Sequence, residues 1–275
     1  MSKKSASVSL LACAVLSCAA IAQTTQPAAS APAAQATAGT YETIQAHAKA
    51  TNQQYLALVP NTEFLADANA AKRDAVAAQA IPLLKTVLSD LDGMIEANPS
   101  LKRQILAVRL NEEGQLYALG DAEAVSALEA KAKAGGPDGD MATNVILRGR
   151  WYRAGKDPAL QADVITALDK AAAAQTKDVF LSQFICDIRP QAVYPEMKQH
   201  LMELMTGTMD NPTAKALVKV MQNADKTSSF EGKPLVLSGK LPDGKDFTTA
   251  DWKGKVILVD FWAVWCARVV RNCRV

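Results

Sequence analysis

Most of the chain repeats apolar residues with the period of an α-helix. Between positions 40 and 224 they recur three and four residues apart, as in the stripe Ile81, Leu84, Val87, Leu88, Leu91 and Ile95. Short breaks rich in Gly, Pro, Asp and Asn separate successive stripes. The pattern predicts antiparallel helical hairpins, stacked as a bundle or as a TPR-like or HEAT-like solenoid, although no clean repeat signature assigns them to a named repeat.

Turn residues set the expected helix boundaries. Pro99 is placed to open one helix, and Gly120-Asp121 to end it and cap the next, over 122–134. The glycine-rich run 135–139 predicts the strongest internal break. Further helices are expected over 141–154, 158–174, 178–188, 195–206 and 212–224.

The hydrophobic pattern changes near the C-terminus. Residues 256–261 form an apolar run containing one acid, typical of a strand covered on both faces in a parallel sheet. Upstream, Asp243-Gly244 predicts the turn between a first strand and a short Thr-capped segment. A tryptophan-rich corner then leads to Cys266 at the carboxyl end of the strand.

This segment, over residues 230–266 and ending in W-A-V-W-C, resembles the thioredoxin superfamily and within it the exported ResA/TlpA-type thiol-disulfide oxidoreductases. The resemblance implies that Cys266 is the nucleophilic thiolate at a helix N-terminus. It implies that Asp260 accepts a proton during resolution, and that Trp262 and Trp265 form an aromatic wall on the substrate side. The implied partner is a protein thiol or disulfide, and no cofactor is implied.

The chain departs from the family directly after Cys266. Val269 stands at the resolving position of the C-x-x-C motif, and the next sulfur belongs to Cys273. In a helix, Cys273 would lie about 10 Å from Cys266 along the axis, which exceeds the limit of about 7 Å between the Cα atoms of a disulfide. The remaining strands and the cis-proline loop of the family do not follow. We therefore expect a C-terminally truncated domain over 230–275 that does not turn over.

A single-base deletion accounts for this departure. If a gene encoding W-C-G-P-C-R-A-E-L-P loses one guanine from its glycine codon, it can encode W-C-A-R-V-V-R-N-C-R, which is the sequence of residues 265–274. We hypothesise a frameshift just after Cys266, in the gene or in its sequencing. The alternative is a naturally divergent, redox-inactive tail, and the nucleotide sequence distinguishes the two.

The N-terminus predicts export. Lys3 and Lys4 precede an apolar run over 8–22 that ends in the small-x-small pattern of a signal-peptidase site. We therefore expect a signal peptide over 1–22, then an Ala/Pro/Gln/Thr linker over 23–39, and a mature protein in the periplasm or cell envelope. An alternative is an imperfect lipobox, in which case a lipidated Cys18 would tether a lipoprotein to the membrane.

Composition excludes some functions and leaves the helical region without a clear site. The formal net charge is +2, Lys and Arg are dispersed, and aromatics make up 5%, so the sequence does not suggest nucleic-acid binding. His47 and His200 lack neighbouring ligands along their helices, so no metal site is predicted. Cys186 lies in an apolar run and is expected to be a buried small hydrophobe.

Two other features of the helical region have both a structural and a binding interpretation. The methionines between positions 197 and 209 favour core packing, with an adaptable groove as the alternative. Trp151-Tyr152 with Arg148, Arg150 and Arg153 favours a solvated helix face around one buried Trp, with a partner surface as the alternative.

The expected fold class is α+β. An all-α helical-hairpin domain over 40–224 is followed by the N-terminal part of a thioredoxin α/β fold over 230–275. The function implied by resemblance is thiol-disulfide exchange. One alternative is a non-enzymatic exported helical interaction module. A second is a peroxiredoxin-like antioxidant protein, against which Trp262 and Trp265 argue.

Overall fold

A computed structural model describes residues 38–228, 236–241, 243–252 and 254. The predicted signal peptide, nearly all of the predicted linker and residues 255–275 lie outside the described residues. Contacts divide the chain into two units with a boundary after Met221.

Nine α-helices make up most of the described chain. They are α1 Ala38–Leu58, α2 Ala70–Ala97, α3 Lys102–Leu119, α4 Ala122–Ala134, α5 Gly136–Ala154, α6 Pro158–Ala174, α7 Val179–Ile188, α8 Pro195–Gly207 and α9 Pro212–Ser228. Short 3-10 turns precede or connect them at Thr62–Leu65, Asp67–Asn69, Pro99–Leu101 and Arg189–Gln191. The helical architecture predicted from the periodicity is confirmed.

Aspartate side chains cap the starts of three helices, and the cap at Asp121 is the one predicted from the sequence. The side chain of Asp121 accepts a hydrogen bond from the Ala124 amide, as a cap of α4. Asp157 and Asp178 accept from the first free amides of α6 and α7 in the same way. Gly120 ends α3 with φ of +82°, a left-handed conformation that glycine adopts without a steric penalty.

The predicted break over 135–139 is wrong for four of its five residues. Helix α5 begins at Gly136, so only Gly135 lies outside α4 and α5. Pro137 lies in the first turn of α5, where its missing amide hydrogen leaves no helical hydrogen bond unmade. Gly135 and Gly136, with φ of +73° and +74°, together provide the reversal between the helices.

The helices of this unit bury their apolar residues in three clusters. Helix α1 packs on α2, α2 on α3, α3 on α5, and α5 on both α4 and α6. One apolar cluster surrounds Leu84 and Tyr55, and a second surrounds Trp151 and Phe184 in the part formed by α5 to α9. Met205 and Met209 are buried in this second cluster, so core packing of these methionines is confirmed.

The second unit contains a two-stranded antiparallel hairpin. Strand β1 is Ser238–Lys240 and β2 is Asp246–Thr248, with Gly239 opposite Phe247. The turn falls at Asp243-Gly244, as predicted, and β2 is followed by a 3-10 turn over Thr249–Trp252. The described residues contain no parallel strand pair, so the structure supports the all-α part of the predicted class and leaves the thioredoxin fold as a prediction.

Candidate functional site

The residues predicted to carry redox chemistry all lie outside the described residues. These are Cys266, Asp260, Trp262 and Trp265, and the same holds for Cys18 and Cys273. Their roles remain predictions from sequence. The described part of the predicted redox segment is the hairpin that precedes the apolar run 256–261.

This hairpin is held by an aromatic stack and an ion pair. The rings of Phe247 and Trp252 stack with centroids 5.7 Å apart and an interplanar angle of 12°. The Phe247 ring also covers Gly239, where a Cβ atom would lie 2.8 Å from Phe247 Cε1. Lys240 Nζ lies 2.9 Å from Asp246 Oδ1 on the exposed surface. A defined hairpin therefore precedes the segment for which the redox role is predicted.

The two histidines are paired with aspartates from other helices. His47 Nδ1 lies 2.7 Å from Asp90 Oδ2, and His200 Nε2 lies 2.8 Å from Asp169 Oδ1. Among the described residues, no group of three or more His, Cys, Asp or Glu side chains is arranged to hold a metal ion. Each histidine therefore joins two helices.

Cys186 lies half-buried on α7. Burial raises the pKa of its thiol to about 11, and the neighbouring Asp187 carboxylate adds to this shift. A thiol with so high a pKa forms little thiolate near neutral pH, and the thiolate is the reactive species. Cys186 is therefore suited to packing and poorly suited to disulfide exchange.

The Trp and Arg residues near position 150 do not form one continuous surface. Trp151 is 2% exposed, and its Nε1 donates to Gln191 Oε1 over 3.2 Å. Arg148 is also buried, whereas Arg150 is exposed and Arg153 pairs with Asp67. The interpretation as a helix face around one buried Trp is confirmed for Trp151, but the burial of Arg148 was not predicted.

The buried Arg148 guanidinium joins three helices. Its Nε donates to Asn144 Oδ1 over 2.9 Å, and its two Nη atoms donate to Asn111 Oδ1 and to the Phe180 carbonyl oxygen over 2.5 and 3.0 Å. The guanidinium carbon lies 4.7 Å from the centre of the Phe184 ring, in cation–π geometry. Burial lowers the pKa of Arg148. The side chain thus acts as a hydrogen-bonding centre for α3, α5 and α7.

A buried acid lies on helix α3. Glu112 is 4% exposed, and Gln115 Nε2 donates to its Oε2 over 2.7 Å. Gln115 Oε1 in turn accepts from the hydroxyl of the buried Tyr55 of α1 over 2.9 Å. Burial raises the pKa of Glu112 to about 7. A carboxyl group of this kind can gain or lose its proton near neutral pH.

Sequence reasoning missed Glu112, although a signal was present. Glu112 lies seven residues after Ile105 and four after Val108, so it continues the apolar stripe of α3. An acid in the apolar stripe of a helix is a candidate for a buried, perturbed carboxyl group.

A shallow cleft of about 200 Å³ lies beside the C-terminal half of α5. Its lining includes Arg150 and Arg153 together with Asp67 and Asp163, over a floor that contains Leu160 and Val164. Asp67 accepts hydrogen bonds from both Arg153 and Arg73, which hold its pKa below the ordinary value against the effect of burial. The charges of the two arginines and the two aspartates cancel, so the lining favours neither an anionic nor a cationic ligand.

Comparison with known protein families, with curated proteins and with solved structures finds no match to the chain. Among the described residues, no helix combines the length and the apolar composition needed to cross a membrane.

Proposed function

We propose that this chain derives from an exported thiol-disulfide oxidoreductase of the thioredoxin superfamily. The observation that carries the proposal is the W-A-V-W-C sequence ending at Cys266, directly after an apolar run that contains Asp260. The described hairpin supports it, because a tight turn at Asp243-Gly244 and a short segment starting at Thr249 match the expectation for the start of such a domain.

The proposed chemistry begins at Cys266. Its thiolate attacks one sulfur of a substrate disulfide, the substrate S–S bond breaks, and the departing sulfur leaves as a thiolate. A mixed disulfide then joins Cys266 to the substrate. In a complete dithiol site a second thiol attacks Cys266, gives its proton to Asp260, and releases the reduced substrate. The site ends as a disulfide, so two electrons have moved to the substrate.

The sequence of this chain supports only the first of these steps, the formation of the mixed disulfide. Val269 occupies the position of the resolving thiol, and Cys273 is too distant if the tail is helical. We therefore propose that this polypeptide forms a mixed disulfide at Cys266 and remains trapped in it. We also propose a frameshift after Cys266, which predicts Pro-Cys codons in the neighbouring reading frame of the gene.

Two chains and one matched substitution test the function. The first, the unrestored chain, has the sequence of this protein unchanged. The second, the restored chain, has the reading frame restored after Cys266 so that W-C-G-P-C continues into a full domain. Each is compared with its own Cys266→Ser variant in an insulin-reduction assay. The restored chain should reduce insulin catalytically, and its Cys266→Ser variant should not. The unrestored chain should reduce insulin no faster than its own variant and should accumulate a mixed disulfide.

Each of the other outcomes identifies the part of the proposal that fails. If the fully reduced restored chain reduces no disulfide, the oxidoreductase assignment is wrong. If that chain instead consumes peroxide, the peroxiredoxin-like alternative is correct. Catalytic turnover by the unrestored chain would mean that Cys266 and Cys273 pair in a non-helical tail. A gene without Pro-Cys in the neighbouring frame contradicts the frameshift and favours a divergent tail.

We also propose export to the periplasm or cell envelope. The basis is the Lys3-Lys4 start, the apolar run over 8–22 and its small-x-small end. Mass spectrometry of the mature protein should give an N-terminus at Gln23. A lipid-modified Cys18 as the first residue would instead establish the lipoprotein alternative, and an intact Met1 in the purified envelope fraction would contradict both.

A further inference from the structure

The helical unit contains an acid at a point where helices α1, α3 and α5 meet. Glu112 of α3 is buried, and its Oε2 accepts a hydrogen bond from Gln115 one turn later. The same Gln115 accepts from the Tyr55 hydroxyl, and Tyr55 is 0% exposed at the C-terminal part of α1. The carboxyl group is thus connected to the contact between α1 and α3 through one amide.

No cation of the described residues compensates a charge on Glu112. On α3 itself, Arg109 pairs with Glu113 and with Asp92 of α2, and Lys85 of α2 pairs with Asp121 and Glu123. From α5, Arg148 donates its hydrogen bonds to Asn144, Asn111 and the Phe180 carbonyl oxygen. The cations near this contact therefore have other partners.

The ionisable groups that respond to the Glu112 charge are two tyrosines. Tyr55 faces it from α1 and Tyr152 from α5, and the Glu112 charge adds to the effect of burial in raising the pKa of each phenol. Burial raises the pKa of Tyr152 to about 12, although Arg148 opposes the shift. Both phenols therefore stay neutral at physiological pH and supply no positive charge.

We propose that Glu112 is a proton-operated latch of the helical unit, which holds α1 against α3 while it is protonated and loosens this contact when it ionises. A buried carboxylate without a cation has lost its hydration and has gained only hydrogen bonds from neutral groups. The neutral acid avoids this penalty. The desolvation penalty of the ionised form therefore weakens the contact between α1 and α3 that runs through Gln115 and Tyr55.

The sign of the pH effect follows from the proton count. In the unfolded chain a glutamate has a pKa of about 4.5, whereas burial raises the pKa of Glu112 in the folded chain to about 7. Between these values the folded state binds more protons than the unfolded state, so stability falls as the pH rises. The stabilisation is fully present below the lower value and is lost as the pH passes the higher one.

The first test compares the full chain with Glu112→Gln and with Glu42→Gln, a change at an exposed acid on α1. Urea midpoints are measured by far-UV circular dichroism at a series of pH values between about 5 and about 8, which span the expected window. The urea midpoints of the parent chain and of Glu42→Gln should fall as the pH rises across the series. The midpoint of Glu112→Gln should fall clearly less. Equal losses in all three chains would overturn the proposal.

The second test reads the proton on the parent chain, so it does not depend on a variant that folds. The infrared band of the protonated side-chain carboxyl group should titrate near neutral pH, and isotope-labelled Glu identifies it. Hydrogen-exchange protection factors, which correct for the intrinsic effect of pH on amide exchange, should fall at the C-terminal half of α1 over the same pH range. Titration of every Glu band at ordinary acid pH, or unchanged protection factors in α1, would overturn the latch.

Discussion

Gly149 of α5 lies directly against Tyr117 of α3. A Cβ atom on Gly149 would lie 2.8 Å from the Tyr117 Cβ and 2.9 Å from the Gly114 carbonyl oxygen, closer than such atoms approach. Gly114 lies equally close on the other helix, because a Cβ there would be 2.8 Å from Arg148 Cβ. The crossing of α3 and α5 therefore depends on two glycines, and it sets the position of Glu112 and Arg148.

Gly149→Ala should destabilise the helical unit by about 1–3 kcal/mol, because overpacking forces α3 and α5 apart. The matched control is Gly93→Ala in the interior of α2, where the new methyl group would meet Ile44 Cδ1 at 3.5 Å, an ordinary contact. The control should gain up to about 1 kcal/mol from helix propensity. Urea denaturation of both variants measures the difference, and equal stability would contradict the close crossing.

Arg148→Met should cost about 2–4 kcal/mol, although the side chains have similar length. The substitution leaves the oxygens of Asn144, Asn111 and Phe180 without the donor that they now have inside the core. Arg150→Met on the same helix is the control, since its side chain is exposed, and it should change stability by less than about 0.5 kcal/mol. Similar losses in both variants would show that Arg148 is not a buried centre.

The cap of α7 provides a smaller and more local prediction. Asp178 Oδ1 accepts from the amides of Phe180 and Leu181 over 2.6 and 2.9 Å. Asp178→Ala should therefore cost about 1 kcal/mol, whereas Asp178→Asn keeps an acceptor and should cost only a few tenths. Thermal unfolding of the two variants measures the difference. An alanine variant as stable as the asparagine variant would contradict the cap.

The sequence predicted the helices where local signals and packing agree. Asp121 is a cap both in the prediction and in the structure, because a cap is a contact within one turn, and Asp157 and Asp178 are caps that the structure adds. The break over 135–139 was misread, because glycine and proline were counted as breakers although Pro137 fits the first turn of a helix. Local composition does not distinguish these two uses of proline.

Burial of polar side chains was harder to predict than helix position. The sequence favours a solvated face for Arg148, whereas the close approach of α3 at Gly149 places its side chain inside. Its partners Asn111 and Phe180 are 37 and 32 residues distant along the chain. Contacts of this kind depend on which helices cross, and a single sequence does not specify the crossing. Glu112 differs, because its place in the apolar stripe was visible.

Cys186 should be nearly inert in the folded chain, which makes it the internal reference for reactivity at Cys266. Burial raises the pKa of its thiol to about 11 from an ordinary value of 9.0. This difference lowers the thiolate fraction near neutral pH by about a hundredfold. Iodoacetamide at pH about 8 should therefore label Cys186 slowly in the native chain and at the ordinary thiol rate in urea, as read from the peptide by mass spectrometry. Equal rates in the two conditions would contradict its burial, and labelling of Cys266 faster than Cys186 under native conditions is expected if Cys266 is the redox thiolate.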